Sequence, residues 1–243
     1  MRLVLVFASL VCLTQLMTYF KTSAFALRKT LFSLSLALGV STAALAGETP
    51  STVVELFTSQ GCSSCPPANE FVGNLTDDKD VLVLTYGVTY WDYLGWKDTF
   101  GDPAFTQRQR EYGQAFGIGN VYTPQIVLNG SAHSPRYNKA DVRTMTLPKQ
   151  DAEIDLLAKD GQLVLNSQQD AVLVSYKAGW HEVPVKAGEN HGRTLRLANV
   201  VTAVTPVKAG ENFSQVIEDG LSYAALVHHP ETMKVLSASV YAP

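Results

Sequence analysis

The 243 residues, 46% hydrophobic and 17% charged, suffice for one large domain or two small ones with a real core, which excludes intrinsic disorder. The formal net charge is −3, and the first 46 residues carry four basic side chains (Arg2, Lys21, Arg28, Lys29) and no acidic one. Without that segment 15 basic residues face 22 acidic ones, which is the wrong electrostatic footprint for a nucleic-acid binder.

The chain opens with targeting signals rather than structure. Arg28 and Lys29, the apolar run Leu31 to Val40 and the small-residue close Ala44-Leu45-Ala46 follow the order of a secretory signal cleaved after Ala46. Residues 1–46 are therefore expected to be a targeting region and the mature protein to be periplasmic or secreted. A second apolar run, Leu3 to Phe20, is interrupted by Thr14, Gln15 and Thr18, and about 18 residues is the lower limit for a membrane span. A translation start near Leu27 accounts for it, and membrane contact is expected only through an uncleaved N-terminal segment.

Thr52 to Phe57 is β-branched and apolar, a strand that turns through Thr58 to Gly61 into Cys62-Ser63-Ser64-Cys65. Pro66 and Pro67 lack amide protons and fit only the first turn of a helix, which places the cap at Ser64 or Cys65. That helix carries Phe71, Val72 and Leu75 on one side and is expected to end near Thr76-Asp77. Val81 to Val88 is apolar enough for a central strand, completing a right-handed strand-helix-strand unit. Six aromatics follow between Tyr86 and Phe100, and Asp102-Pro103 starts a helix with Phe105, Tyr112 and Phe116 on one face. Thr123-Pro124 then precedes a short strand, Gln125 to Leu128, turning at Asn129-Gly130.

Beyond a boundary expected near Pro148 the pattern is β, with short runs at residues 161–167, 171–179, 199–207, 221–229 and 234–242. Pro-Val-Lys-Ala-Gly-Glu-Asn occurs twice, at Pro184 to Asn190 and Pro206 to Asn212, and reads as two equivalent hairpin turns. Glu189, Asn190 and Arg193 are candidates for a partner or proton site at the cysteine face, although turn chemistry is the favoured reading of such residues. His228 and His229, being adjacent in a strand, face opposite sides and read as solvated edge positions.

If the leader and its Cys12 are removed, Cys62 and Cys65 can pair only with each other within the chain. As a staple the four-residue ring is poor, worth about 2 kcal/mol on loop entropy. Zinc lacks ligands, because no other cysteine remains and the histidines show no H-x₃₋₅-H spacing; no metal site is expected on this ground. Two thiolates can hold Cu(I), so a soft-metal module stays open. Cys62, just ahead of a helix N-terminus, suits a redox nucleophile more exposed than Cys65, with Cys65 as the resolving thiol.

The order strand, C-x-x-C, helix, strand, helix, Thr-Pro-strand-Asn-Gly resembles the thioredoxin fold over about Ser51 to Leu147. The stretches "VVELFTSQGCSSCPPANEF", "YWDYLGWKD", "FTQRQREYG", "VYTPQIVLNG" and "GENHGRTLRLANVV" are similar to a secreted thioredoxin-like family catalogued as domain of unknown function 1223. This resemblance implies an α/β fold, with a thioredoxin-like domain at 47–147 followed by a small, mostly antiparallel β domain at 148–243. It further implies that Thr123-Pro124 is cis, faces Cys62 and Cys65, and aligns the backbone of a protein or peptide thiol or disulfide substrate. Trp91, Tyr93 and Trp96 are expected to form an apolar platform for that substrate. The function expected is an exported thiol-disulfide oxidoreductase needing no cofactor. The alternatives are a Cu(I)-binding module and a non-catalytic interaction protein.

Overall fold

The computed structural model describes residues 45–148 and 153–243. The expected targeting segment falls outside the described residues as far as residue 44, and Leu45–Ala46 is a two-residue strand, β1. Strands β2 (Thr52–Thr58) and β3 (Val81–Gly87) run parallel, connected by helix α1 (Pro66–Gly73) with its two prolines at the start. All of β2 is buried, so it feeds a core on each face: Val53 and Phe57 on one, Val54 and Leu56 on the other. Helix α1 stops at Gly73, short of the expected Thr76-Asp77. There Leu75 N and Thr76 N donate three residues back, to the carbonyls of Val72 and Gly73, and tighten the chain out of the α ladder.

Helix α2 (Pro103–Ala115) begins at the expected cap, with the Asp102 carboxylate accepting from Ala104 N at 2.7 Å. Its Phe105 and Tyr112 enter the core beside Phe57 and Tyr86. Strand β4 (Gln125–Leu128) lies antiparallel to β2 and turns through Asn129 and Gly130, both at positive φ, into β5 (Ala132–Ser134). A Cβ at position 130 would run into the Met233 carbonyl, so this turn needs glycine for space as well as for φ. A short helix that the pattern did not announce, α3 (Lys139–Thr144), is nucleated by a capping box between Asn138 and Asp141.

The remaining chain is β: β6 (Ile154–Lys159), β7 (Gln162–Ser167), β8 (Ala171–Pro184), β9 (Thr194–Val207), β10 (Phe213–Val216), β11 (Ser222–His228) and β12 (Val235–Tyr241). They build two sheets, a four-stranded antiparallel one ordered β1-β6-β7-β10 and an eight-stranded mixed one ordered β12-β11-β8-β9-β3-β2-β4-β5. The regions on either side of Pro148 therefore share one sheet. Strand β9 lies parallel to β3 with Val200 opposite Thr85. The seam is reinforced by side chains: Thr85 Oγ1 donates to the Ala198 carbonyl at 2.6 Å and Asn199 Nδ2 to the Val83 carbonyl at 3.0 Å. Strands β8 and β9 extend past the sheet as a hairpin whose outer arms cover α1. Trp180 sits so close to Gly73 that any Cβ there would overlap its ring, and Arg196 stacks over that ring at 4.1 Å.

A charged network is buried between the sheet and α2. Glu55 and Arg108 are almost wholly buried and joined by two hydrogen bonds of 2.7 and 2.8 Å, and the Tyr112 hydroxyl donates to Glu55 at 3.0 Å. His228 Nε2 stands 3.0 Å from Arg108 Nη2, so His228 is not the solvated edge residue expected from the sequence. Burial and then the Arg108 charge hold its pKa well below the ordinary histidine value. His229 points elsewhere, its Nδ1 accepting from Thr232 N at 3.3 Å in the next turn.

Arg108→Leu leaves Glu55 charged and unpaired and should lower the unfolding free energy by about 3–5 kcal/mol, read from urea titrations, while Glu55→Leu/Arg108→Leu recovers most of the loss. His228 gives stability an acid dependence of known sign. Below about pH 6.5 the unfolded chain binds a proton there that the folded chain refuses, so stability falls as pH falls, by up to about 1.4 kcal/mol per unit. Urea midpoints from pH 7 to 5 should fall less steeply in His228→Gln.

Candidate functional site

The cysteines sit where β2 gives way to α1. Cys62 N donates to Ser59 O at 3.1 Å and Cys65 N to Cys62 O at 3.2 Å, a tight turn that brings the two Cα atoms to 5.5 Å and closes a Cys62–Cys65 disulfide. Cys65 is the N-cap of α1, and its carbonyl accepts from Ala68 N and Asn69 N. Beneath it the Thr58 hydroxyl donates to Asn69 Oδ1 at 2.7 Å, tying the end of β2 to the first turn of the helix.

The Thr123–Pro124 peptide is cis, as expected. Thr123 and Pro124 share with Ser64, Pro67, Phe71 and Tyr137 the lining of a groove of about 520 Å³, so the head of α1 and the proline loop face a common space. Thr123 is held in place by Trp91, whose indole N–H donates to its hydroxyl oxygen at 2.8 Å. The three residues expected to form a substrate platform have different neighbours. Trp91 also covers Gly61, where a Cβ would lie 3.1 Å from its own, and Trp96 packs against the apolar outer arms of the β8–β9 hairpin. Tyr93 is 79% exposed.

Neither cysteine is exposed: both have a relative accessibility of 0%, against the expectation that Cys62 is the more open. The hairpin tip explains the difference. Asn190 is itself wholly buried, and its Nδ2 donates to the carbonyls of Gln60 at 3.0 Å and Cys62 at 2.8 Å. Arg193 Nη1 donates to Asn190 Oδ1 at 3.0 Å and orients the amide. Glu189 Oε2 accepts from Ser63 N at 3.1 Å. Of these three residues, for which the sequence reading favoured simple turn chemistry, Asn190 bonds to Cys62 directly, Glu189 holds the amide of Ser63, and Arg193 acts through Asn190.

Gln60, Asp98 and Thr99 were not anticipated. Gln60 is fully buried and uses every polar group: N donates to Asp98 Oδ2 at 2.7 Å, Nε2 to Thr99 Oγ1 at 2.8 Å, and Oε1 accepts from Trp96 Nε1 at 2.8 Å. Burial pushes the Asp98 carboxyl above the ordinary value, against the opposing pull of the Gln60 and Phe100 amides that donate to it. The sole sequence signal was a polar residue inside each apolar motif, Gln60 before the cysteines and Asp98 after the tryptophans. Among the described residues no group of three or more His, Cys, Asp or Glu side chains is arranged to hold a metal ion.

A family model described as "Protein of unknown function (DUF1223)" matches residues 53–225. No functionally curated protein matches the chain. Among solved structures it is similar to protein AGR_C_4864 from Agrobacterium tumefaciens, with 28% identity, a TM-score of 0.61, and coverage of 79% of this chain and 94% of that one. It also shares its fold with HBP35 of Porphyromonas gingivalis, at 15% identity, a TM-score of 0.51, and coverage of 80% and 76% respectively.

The Asn190 clamp has a measurable consequence. Asn190→Ala leaves the buried Gln60 and Cys62 carbonyls without their donor and should destabilise the chain by about 1–3 kcal/mol in urea. The same variant should release the tip, so that a small phosphine reduces the Cys62–Cys65 bond faster than in the wild-type chain.

Proposed function

The chain belongs to the DUF1223 family of proteins of unknown function, so its chemistry has to be argued from its own cysteine site, and we propose that it is an exported, thioredoxin-like thiol-disulfide oxidoreductase. The observation that carries this reading is the shared groove: Ser64 and Pro67, which flank the buried Cys62–Cys65 disulfide at the head of α1, line the same space as the cis Thr123–Pro124 loop. An extended peptide in that groove has the Pro124 loop on one side and the head of α1, with the disulfide buried behind Ser64, on the other. Pro124 brings no amide proton of its own to compete for the peptide.

Cys62 and Cys65 carry the exchange. In the reducing direction the Cys62 thiolate attacks one sulfur of a substrate disulfide, the other substrate sulfur leaves as a thiolate, and that thiolate takes a proton from water. The Cys65 thiolate then attacks Cys62 Sγ, releasing the second substrate thiol and forming the Cys62–Cys65 bond. Two electrons pass from the pair to the substrate. The substrates are protein or peptide thiols and disulfides outside the cytoplasm, consistent with the leader-like start of the sequence. Trp91 positions Thr123, and Trp96 acts through Gln60.

The complete burial of both sulfurs favours a second reading, a structural disulfide in an interaction module. Trapping separates the two. Cys65→Ser should accumulate mixed disulfides with exported proteins through Cys62, and Cys62→Ser should not; reduction of a model peptide disulfide should fall at least about 100-fold in either variant. A chain whose Cys65→Ser form traps nothing and whose wild type turns over no peptide disulfide is the interaction module.

A further inference from the structure

Resting on that redox reading, we propose that Cys62–Cys65 is tuned as a reducing pair, one that gives electrons to exported disulfides, and that Glu189 on the β8–β9 hairpin is a positioning residue that tunes it. A disulfide is a strong oxidant when its reduced form is stabilised, chiefly by groups that favour the nucleophilic thiolate. A helix N-terminus ordinarily supplies such groups as free amides. In this chain the amides of the first helical turn are missing or already engaged.

Pro66 and Pro67, the first two residues of α1, have no amide proton. The next two amides, of Ala68 and Asn69, are spent on the Cys65 carbonyl at 3.0 and 3.1 Å, and the Cys65 amide on the Cys62 carbonyl at 3.2 Å. Ser63 N, the amide directly after Cys62, donates to the Glu189 carboxylate at 3.1 Å. Beside Cys62 Sγ the structure places the Ser64 hydroxyl, at 3.3 Å. When a thiolate forms on Cys62, the amide that follows it in the chain is therefore already held by a carboxylate. The Ser63 hydroxyl and amide keep the Glu189 carboxyl below the ordinary value, so it is ionised at neutral pH. The other ionisable groups on the tip are Lys186, His191 and Arg193, of which Arg193 is committed to Asn190, and Asp98 adds a second carboxyl behind Gln60.

The repeated heptapeptide gives an internal comparison. In its second copy Glu211 Oε2 accepts from Lys208 N at 2.9 Å and caps its own turn. In the first copy the equivalent glutamate reaches 126 residues back along the chain to Ser63. Only the first can influence the cysteines. A reducing pair ends each turnover oxidised, so a second dithiol donor in the same compartment must return two electrons and two protons to it.

The test equilibrates the full chain with reduced and oxidised dithiothreitol at pH 7 and reads the oxidised fraction by thiol alkylation. Glu189→Gln keeps an acceptor for Ser63 N but removes the charge. It should shift the equilibrium toward the reduced pair by about threefold, the size expected of an exposed charge, and the shift should shrink in high salt. In the Cys65→Ser background, Glu189→Gln should move the onset of Cys62 thiolate absorbance to lower pH. Glu211→Gln should change neither quantity. An unchanged equilibrium and titration in Glu189→Gln, or a wild-type pair that glutathione reduces readily, would overturn the proposal. If Cys65→Ser traps partners and Glu189→Gln shifts nothing, the tuning fails alone. If Glu189→Gln shifts the equilibrium but no partner is trapped and no substrate is reduced, the tuning stands and the oxidoreductase reading fails.

Discussion

Everything around the cysteines depends on the seam between β3 and β9. A single register pair, Thr85 with Val200, would hold two strands weakly, and the seam is closed instead by side chains that replace ladder bonds. The Thr85 hydroxyl takes the Ala198 carbonyl, and the Asn199 amide takes the Val83 carbonyl while its oxygen accepts from Gly179 N. Asn199 adopts a left-handed φ of 49°, and the β8–β9 register slips beside it between Lys177 and Trp180. This irregular joint aims the outer hairpin over α1, where Trp180 meets Gly73 and Asn190 meets Cys62. With regular pairing in its place, the tip would have no reason to lie on the disulfide.

The site that results is a closed polar shell inside an apolar wall. Gln60 is its hub, joining the turn before the cysteines to the Asp98 loop and to the hairpin tip, and every one of its polar groups is paired. Buried amides and carbonyls are expensive to leave unmatched, so the shell is stable as a whole and loosens as a whole. That couples access to the sulfurs with the position of one hairpin. It also sets the charge near Cys62, because the residue that caps the Ser63 amide is an acid.

Local signals carried much of the first half of the chain. The β-branched run of β2, the Pro-Pro start of α1, the Asp102 cap and the Asn129-Gly130 turn each act within a few residues, and each appears where the pattern put it. The ends were less legible. Helix α1 stops three residues early because Thr76 turns back onto the Gly73 carbonyl. His228 was misjudged for a related reason: alternation gives the side of a strand a residue faces, but not the arginine waiting 120 residues away.

That a C-x-x-C pair follows a strand and heads a helix could be read from residue order alone, since hydrophobic period, proline geometry and turn residues are properties of short segments. The part that needed long-range packing is shown by one peptide written twice. Pro-Val-Lys-Ala-Gly-Glu-Asn has the same propensities at Pro184 and at Pro206, yet the second copy caps itself while the first buries its asparagine and gives its glutamate to Ser63. No local rule separates them. The difference lies in where β9 joins β3, a pairing between residues more than a hundred positions apart, and it is that pairing which makes one turn part of the cysteine site and leaves the other a turn.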